Sequence, residues 1–217
     1  VMYPPAGTPG FSPRQRDLDF WLSADAAGLA TPGITTALRA MAWNRSQQRG
    51  LAGAVLGVGI ALTGGGLLAA AAGGIGAAAA VGIPGVVLVI LGVSLFARIR
   101  QRKLPRITMT APSRAPSKLS SGIGLGAFFT VMFGVILYPL AGRLMESVPA
   151  GAVLVLGYAV LLVVLMGSVF TLPSYFMTHA VRDFKADIAA SPDLRQGLEG
   201  LALTWRDPVG SREFGPL

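Results

Sequence analysis

Three long stretches of the chain carry no Asp, Glu, Lys, Arg or His: residues 50–97, 119–142 and 147–178. A helix rises 1.5 Å per residue, so about 20 apolar residues cross a hydrocarbon core of roughly 30 Å. The first stretch is 48 residues long, bounded by Arg49 and Arg98, and holds two crossings. The other two hold one each. The pattern predicts transmembrane helices over about Leu51–Ala71, Ile83–Ala97, Ile123–Ala141 and Ala150–Thr171. Gly73, Gly74 and Gly76 mark the turn of the first hairpin, with Pro84 near the start of its second helix. Pro173 is expected to kink or end the fourth helix. The alternative for residues 64–85 is a re-entrant loop, which must be covered by protein because irregular backbone is not tolerated against lipid.

The flanks change to a helical, two-faced pattern. Ser12-Pro13 opens a predicted short helix to about Leu29, with Leu18, Trp21 and Leu22 at helical spacing. Thr31-Pro32 opens a second helix, to Arg49. Its apolar positions are Ile34, Leu38 and Met41, and Arg39, Arg45 and Arg49 form its polar side. That helix suits a membrane surface, with Trp43 at headgroup depth. Residues 98–120 read as a polar loop with Pro105, Pro112 and Pro116. Ser174–Ala190 read as a helical exit. Ser191-Pro192 begins a last amphipathic helix with Leu194, Leu198, Leu201 and Trp205 on one face. The expected architecture is an all-α polytopic membrane protein, its four transmembrane helices arranged as two hairpins with flanking amphipathic helices. Its segments are an N-terminal region (1–49), hairpin 1 (50–98), a basic loop (99–120), hairpin 2 (121–181) and an amphipathic tail (182–217).

Composition sharpens this picture. Hydrophobic residues make up 53% of the 217 and charged residues 13%, against roughly 25% charged in soluble domains. That composition argues against a soluble globular protein. Of the 18 Lys and Arg, five lie before residue 50, seven between 98 and 120, and five after 181; Arg143 is the remaining one. With four crossings the three basic segments fall on one side. The positive-inside rule then predicts that both termini and the 98–120 loop are cytoplasmic, in a bacterial-type plasma membrane. No cleavable signal is expected, because residues 1–33 lack a basic stretch followed by a short apolar run. The absence of cysteine excludes disulfides and thiolate chemistry, and the single histidine argues against haem or zinc. No cofactor, metal site or catalytic residue is predicted.

The most prominent motif is a small-residue stripe: Gly53, Gly57, Ala61, Gly65, Ala69 and Gly73. Lipid supplies little hydrophobic drive between helices, so association depends on close backbone approach. The stripe is expected to pack within the chain against Gly85 and Gly92, or to form an interface with another copy or another membrane protein. Arg98, Arg100, Arg102, Lys103 and Arg106 form a basic run suited to anionic headgroups. Nucleic acid is a poor fit for cations beside a bilayer without interleaved aromatics. The polar residues predicted within the crossings or at their ends are Thr63, Ser94, Thr130, Tyr138, Tyr158, Ser168, Thr171 and Ser174, with no charged side chain. That weighs against an ion-coupled carrier, an aspartyl protease or a metal-dependent phosphotransferase. His179 with Asp183 at i+4 suggests a surface ion pair. The expected function is a non-catalytic membrane subunit or self-associating scaffold, of a transport complex among other settings. The alternative is an oligomeric channel or uncoupled transporter around the glycine-rich hairpin. A lipid-acting enzyme ranks last.

Overall fold

The computed structural model describes residues 17–27, 36–101, 118–147, 150–205 and 214–217, and all regular structure among them is helical. In chain order the helices are α1 (Leu18–Leu22), α2 (Ala24–Ala27), α3 (Ala37–Ala71), α4 (Ile75–Gln101), α5 (Leu119–Ser147) and α6 (Gly151–Met166). A π-helical turn (Gly167–Thr171) leads into α7 (Leu172–Thr178), α8 (Ala180–Ala190) and α9 (Pro192–Thr204). The chain divides into two compact units: Met41–Phe184, and Val1–Ala40 with Lys185–Leu217.

The Met41–Phe184 unit is built on four helices long and apolar enough to cross a membrane: Ala37–Ala71, Ile75–Gln101, Leu119–Ser147 and the continuous run Gly151–Thr178. This is a membrane protein with an all-α fold. Large apolar side chains face outward, Ile75 at 79% and Val135 at 69% exposure, as an acyl-chain solvent permits.

The helix boundaries differ from the sequence expectation in ways that have physical causes. The surface helix to Arg49 and the first crossing are one helix of 35 residues. Gly50 is the sole weak former at the junction and costs only about 1 kcal/mol, while Gln47, Gln48 and Arg49 all favour helix. Nor is the polar side fully solvated: Arg45 is 9% exposed. The second crossing begins at Ile75, so Pro84 lies inside α4 rather than near its start. Pro139 lies inside α5, within the crossing expected there. Each proline removes one backbone donor, a loss that transmembrane helices absorb by local adjustment. Residues 64–85 are helical apart from the turn at 72–74. There Gly73 takes φ +83°, a left-handed conformation open to glycine.

Pro173 does not end the fourth span. The chain widens into the π-helical turn just ahead of it, where the Leu172 N–H donates to the Gly167 carbonyl. Proline has no N–H, and its ring crowds the carbonyl four residues back. One wider turn accommodates both and lets the helix continue.

The second unit has an aliphatic core of Leu18, Ala26, Leu38, Ile188, Leu194 and Leu198, all buried. The single helix expected from residue 13 to 29 is broken at Ser23, whose hydroxyl donates to the Phe20 carbonyl and accepts from the Ala26 N–H; residues 13–16, 28 and 29 lie outside the described residues. Thr36 caps α3, its hydroxyl accepting from the Arg39 N–H and donating to the Pro216 carbonyl. The predicted cap on α9 is present: the Ser191 hydroxyl accepts from the Leu194 N–H at 3.4 Å, with Pro192 following. Arg195 joins α9 to α1 through Asp19, at 2.7 and 2.8 Å, and also holds Glu199. Lys185 donates to the Leu22 carbonyl at the end of α1.

Candidate functional site

The candidate site is the set of glycine-backed contacts that hold the four spans together. Between α3 and α4 the backbones meet directly. A Cβ on Gly59 would lie 2.6 Å from the Val89 nitrogen, and one on Gly66 would lie 2.6 Å from the Gly82 Cα. A Cβ on Gly92 would lie 2.8 Å from that of Leu56, and one on Gly85 would collide with the Thr63 backbone. Hydrogen is the only substituent that fits at these positions, and close contact of this kind is what binds helices in lipid.

The fourth span meets both α3 and α5. A Cβ on Gly57 would overlap the Ser168 side chain, and one on Gly122 would overlap that of Ser174. Each serine turns its hydroxyl back onto its own helix, Ser168 to the Val164 carbonyl at 2.6 Å and Ser174 to the Phe170 carbonyl at 2.8 Å. The paired glycines leave room for those turned-back hydroxyls. Phe129 stacks on Phe170 beside the second contact, with centroids 5.0 Å apart and planes within 7°. Thr63, Ser94 and Thr130 likewise donate to the carbonyl four residues earlier. The Tyr158 hydroxyl reaches the Gly65 carbonyl at 3.5 Å.

The predicted stripe does not meet a single neighbour. Gly53 makes ordinary contacts with Phe176, Leu172 and Phe96, and Gly57 faces Ser168. Ala61 is buried, whereas Ala69 is half-buried. A Cβ on Gly65 would meet only Val81, at 3.8 Å, and one on Gly73, in the turn, would meet nothing within 4 Å. The cause is helical geometry: a four-residue repeat drifts about 40° per step around a helix of 3.6 residues per turn. Gly85 and Gly92 do lie against α3, but opposite Thr63 and Leu56. The contacting positions 56, 59, 63 and 66 alternate steps of three and four, which keeps them on one face. That alternation was present in the sequence, masked by the more regular spacing of the stripe.

The basic run divides. Arg98 and Arg100 are exposed in the last turn of α4, and Arg102, Lys103 and Arg106 lie outside the described residues. Arg98 closes one end of an open groove of about 310 Å³ along α4, otherwise lined by Val87, Ile90, Leu91, Ser94 and Leu95.

His179 sits at the break between α7 and α8. Its ring packs on Tyr175 with centroids 4.5 Å apart, and its Nδ1 lies 2.8 Å from the Tyr175 carbonyl. Asp183 is instead held by the neighbouring Arg182, at 3.0 and 3.1 Å. That hydrogen bond, with a further one to Tyr175, raises the Arg182 pKa above its ordinary value. Arg195 is raised in the same direction by Glu199 and Asp19. Both guanidiniums stay charged through the whole working pH range, so neither makes the protein pH-sensitive. Ser174 is fully buried against Gly122, out of reach as a nucleophile, and the Thr178 hydroxyl, next to His179 in the chain, donates to the Ser174 carbonyl. Among the described residues no three His, Asp or Glu side chains converge. No family model, curated protein or solved structure matches this chain.

Proposed function

We propose that the chain is a non-catalytic membrane subunit or scaffold whose spans associate with another copy of itself or with another membrane protein. The observation that carries this reading is the way polar and small groups are used within the spans. The hydroxyls of Thr63, Ser94, Thr130, Ser168 and Ser174 bond their own helices, and most glycines of α3 and α4 are closed against a neighbour. Little is left facing a solute or a reacting bond. A channel around the glycine-rich hairpin needs those glycines at a pore, yet Gly59, Gly66, Gly85 and Gly92 are occupied by backbone or side-chain atoms.

The outer surface of α5 is different. A Cβ on Gly134 or Gly142, either side of the exposed Tyr138, would meet nothing within 4 Å. A second helix docks most closely where such positions are open. The test is the mass of the particle in lipid nanodiscs, together with co-purification from the native membrane. A defined assembly is expected, and Gly134→Leu with Gly142→Leu should disperse it without changing the melting of the monomer. A single-copy particle that brings down no membrane protein contradicts the proposal, as does ion flux through the purified chain in liposomes.

A further inference from the structure

The inward face of α4 is taken up by α3 through Gly85 and Gly92. Its outer face carries the groove from Val87 to Arg98. We infer that this groove binds one anionic phospholipid, with an acyl chain along the aliphatic floor and the phosphodiester on Arg98.

Three features support that occupant over another helix. The first is depth. Val87 to Arg98 rises about 16 Å along the helix, close to the roughly 15 Å of hydrocarbon in one leaflet. The groove therefore begins near the bilayer midplane and reaches a cation at the headgroup level. The second is the chemistry of the floor. Its one hydroxyl, Ser94, is already committed to the Ile90 carbonyl at 2.7 Å, so an acyl chain meets no unsatisfied polar group.

The third is charge. Arg98 is exposed and has no ion-pair or hydrogen-bond partner among the described residues, leaving its fork of donors free for a phosphate. Two copies of the chain inserted the same way would pair around an axis along the membrane normal. Docking two copies of this face would set one Arg98 against the other, whereas an anionic lipid neutralises it. Arg100 lies about 200° around the helix and serves as an internal control. The inference depends on the membrane placement of α4 and not on the scaffold reading.

The full chain in detergent, exposed to equimolar dioleoyl phosphatidylglycerol and dioleoyl phosphatidylcholine, would be assayed by native mass spectrometry for retained lipid. One phosphatidylglycerol is expected to be retained in preference. Arg98→Gln should cut that preference about fivefold, the effect of one basic residue near the surface, and Arg100→Gln should leave it intact. Leu91→Trp, which fills the groove, should lower the occupancy of both lipids. Equal losses from Arg98→Gln and Arg100→Gln would overturn the site in favour of diffuse attraction. Unchanged occupancy in Leu91→Trp overturns the acyl-chain component. Displacement by an equal concentration of glycerol phosphate means that a headgroup alone is bound, which overturns it as well. A dimer mass abolished by Leu91→Trp means that a second copy occupies the face and the lipid does not. The exposed side chain of Arg98 makes its variant a fair test, since thermal melting should be unchanged.

Discussion

The two units of the molecule are held together by opposite means. In Val1–Ala40 with Lys185–Leu217, large aliphatic side chains such as Leu18, Leu38, Leu194 and Leu198 are buried, and charged residues such as Asp19, Arg195 and Glu199 make ion pairs outside. In Met41–Phe184 most large side chains of α4, α5 and α6 point outward, and glycines such as Gly85, Gly92, Gly122 and Gly126 are buried. Water drives the first arrangement by expelling apolar surface. Lipid offers no such drive, so the second depends on dispersion and short-range fit between backbones. The same residue type therefore has a different meaning in each: an exposed leucine is ordinary in the spans, and a glycine there is a point of contact.

Substitutions that exchange these logics should separate the two units. The largest effect is expected from Gly85→Leu, which drives a side chain into the Thr63 backbone. Overpacking costs about 1–3 kcal/mol where side chains yield, and here backbone must move, so loss of the folded four-span unit is expected in a detergent melt. Gly124→Leu in α5, where an added Cβ would meet nothing within 4 Å, is the matched control and should melt as the parent. Next comes Leu198→Ala in α9, a large-to-small change at a fully buried position. It should destabilise its unit by about 2–5 kcal/mol, read as faster amide exchange in α9. Ser168→Ala comes third. It removes a hydroxyl that bonds only its own helix and leaves the contact with Gly57 in place, so a shift within about 1 kcal/mol is expected. The smallest effect belongs to Arg195→Ala, whose ion pairs are solvent-exposed. Its change in melting temperature should be near the limit of detection and vanish in high salt.

The sequence carried the four apolar helices plainly, because a membrane-spanning length without a single charge fits lipid and little else. It also carried the Ser191 cap and the aliphatic face of α9. Helix ends were less legible. Pro84 and Pro173 read as punctuation, a rule learned in water, and in lipid the helices pass through both. The seam was half legible. Glycines announced close packing, but which ones meet depends on small rotations that a fixed repeat misassigns, as Gly57 on Ser168 and Gly59 on Val89 illustrate. The Asp19–Arg195 pair joins residues 176 apart in the chain, a separation at which no local pattern reports contact.

Four passages through the bilayer are the claim from which the rest follows, and the natural lack of cysteine allows it to be tested cleanly. Single cysteines at Gly74, Ser147, Ser113 and Ser191 would be labelled in sealed vesicles with a membrane-impermeant maleimide, before and after permeabilisation. The account predicts that positions 74 and 147 react from one side and positions 113 and 191 from the other. Reaction of 74 and 113 from the same side would contradict it.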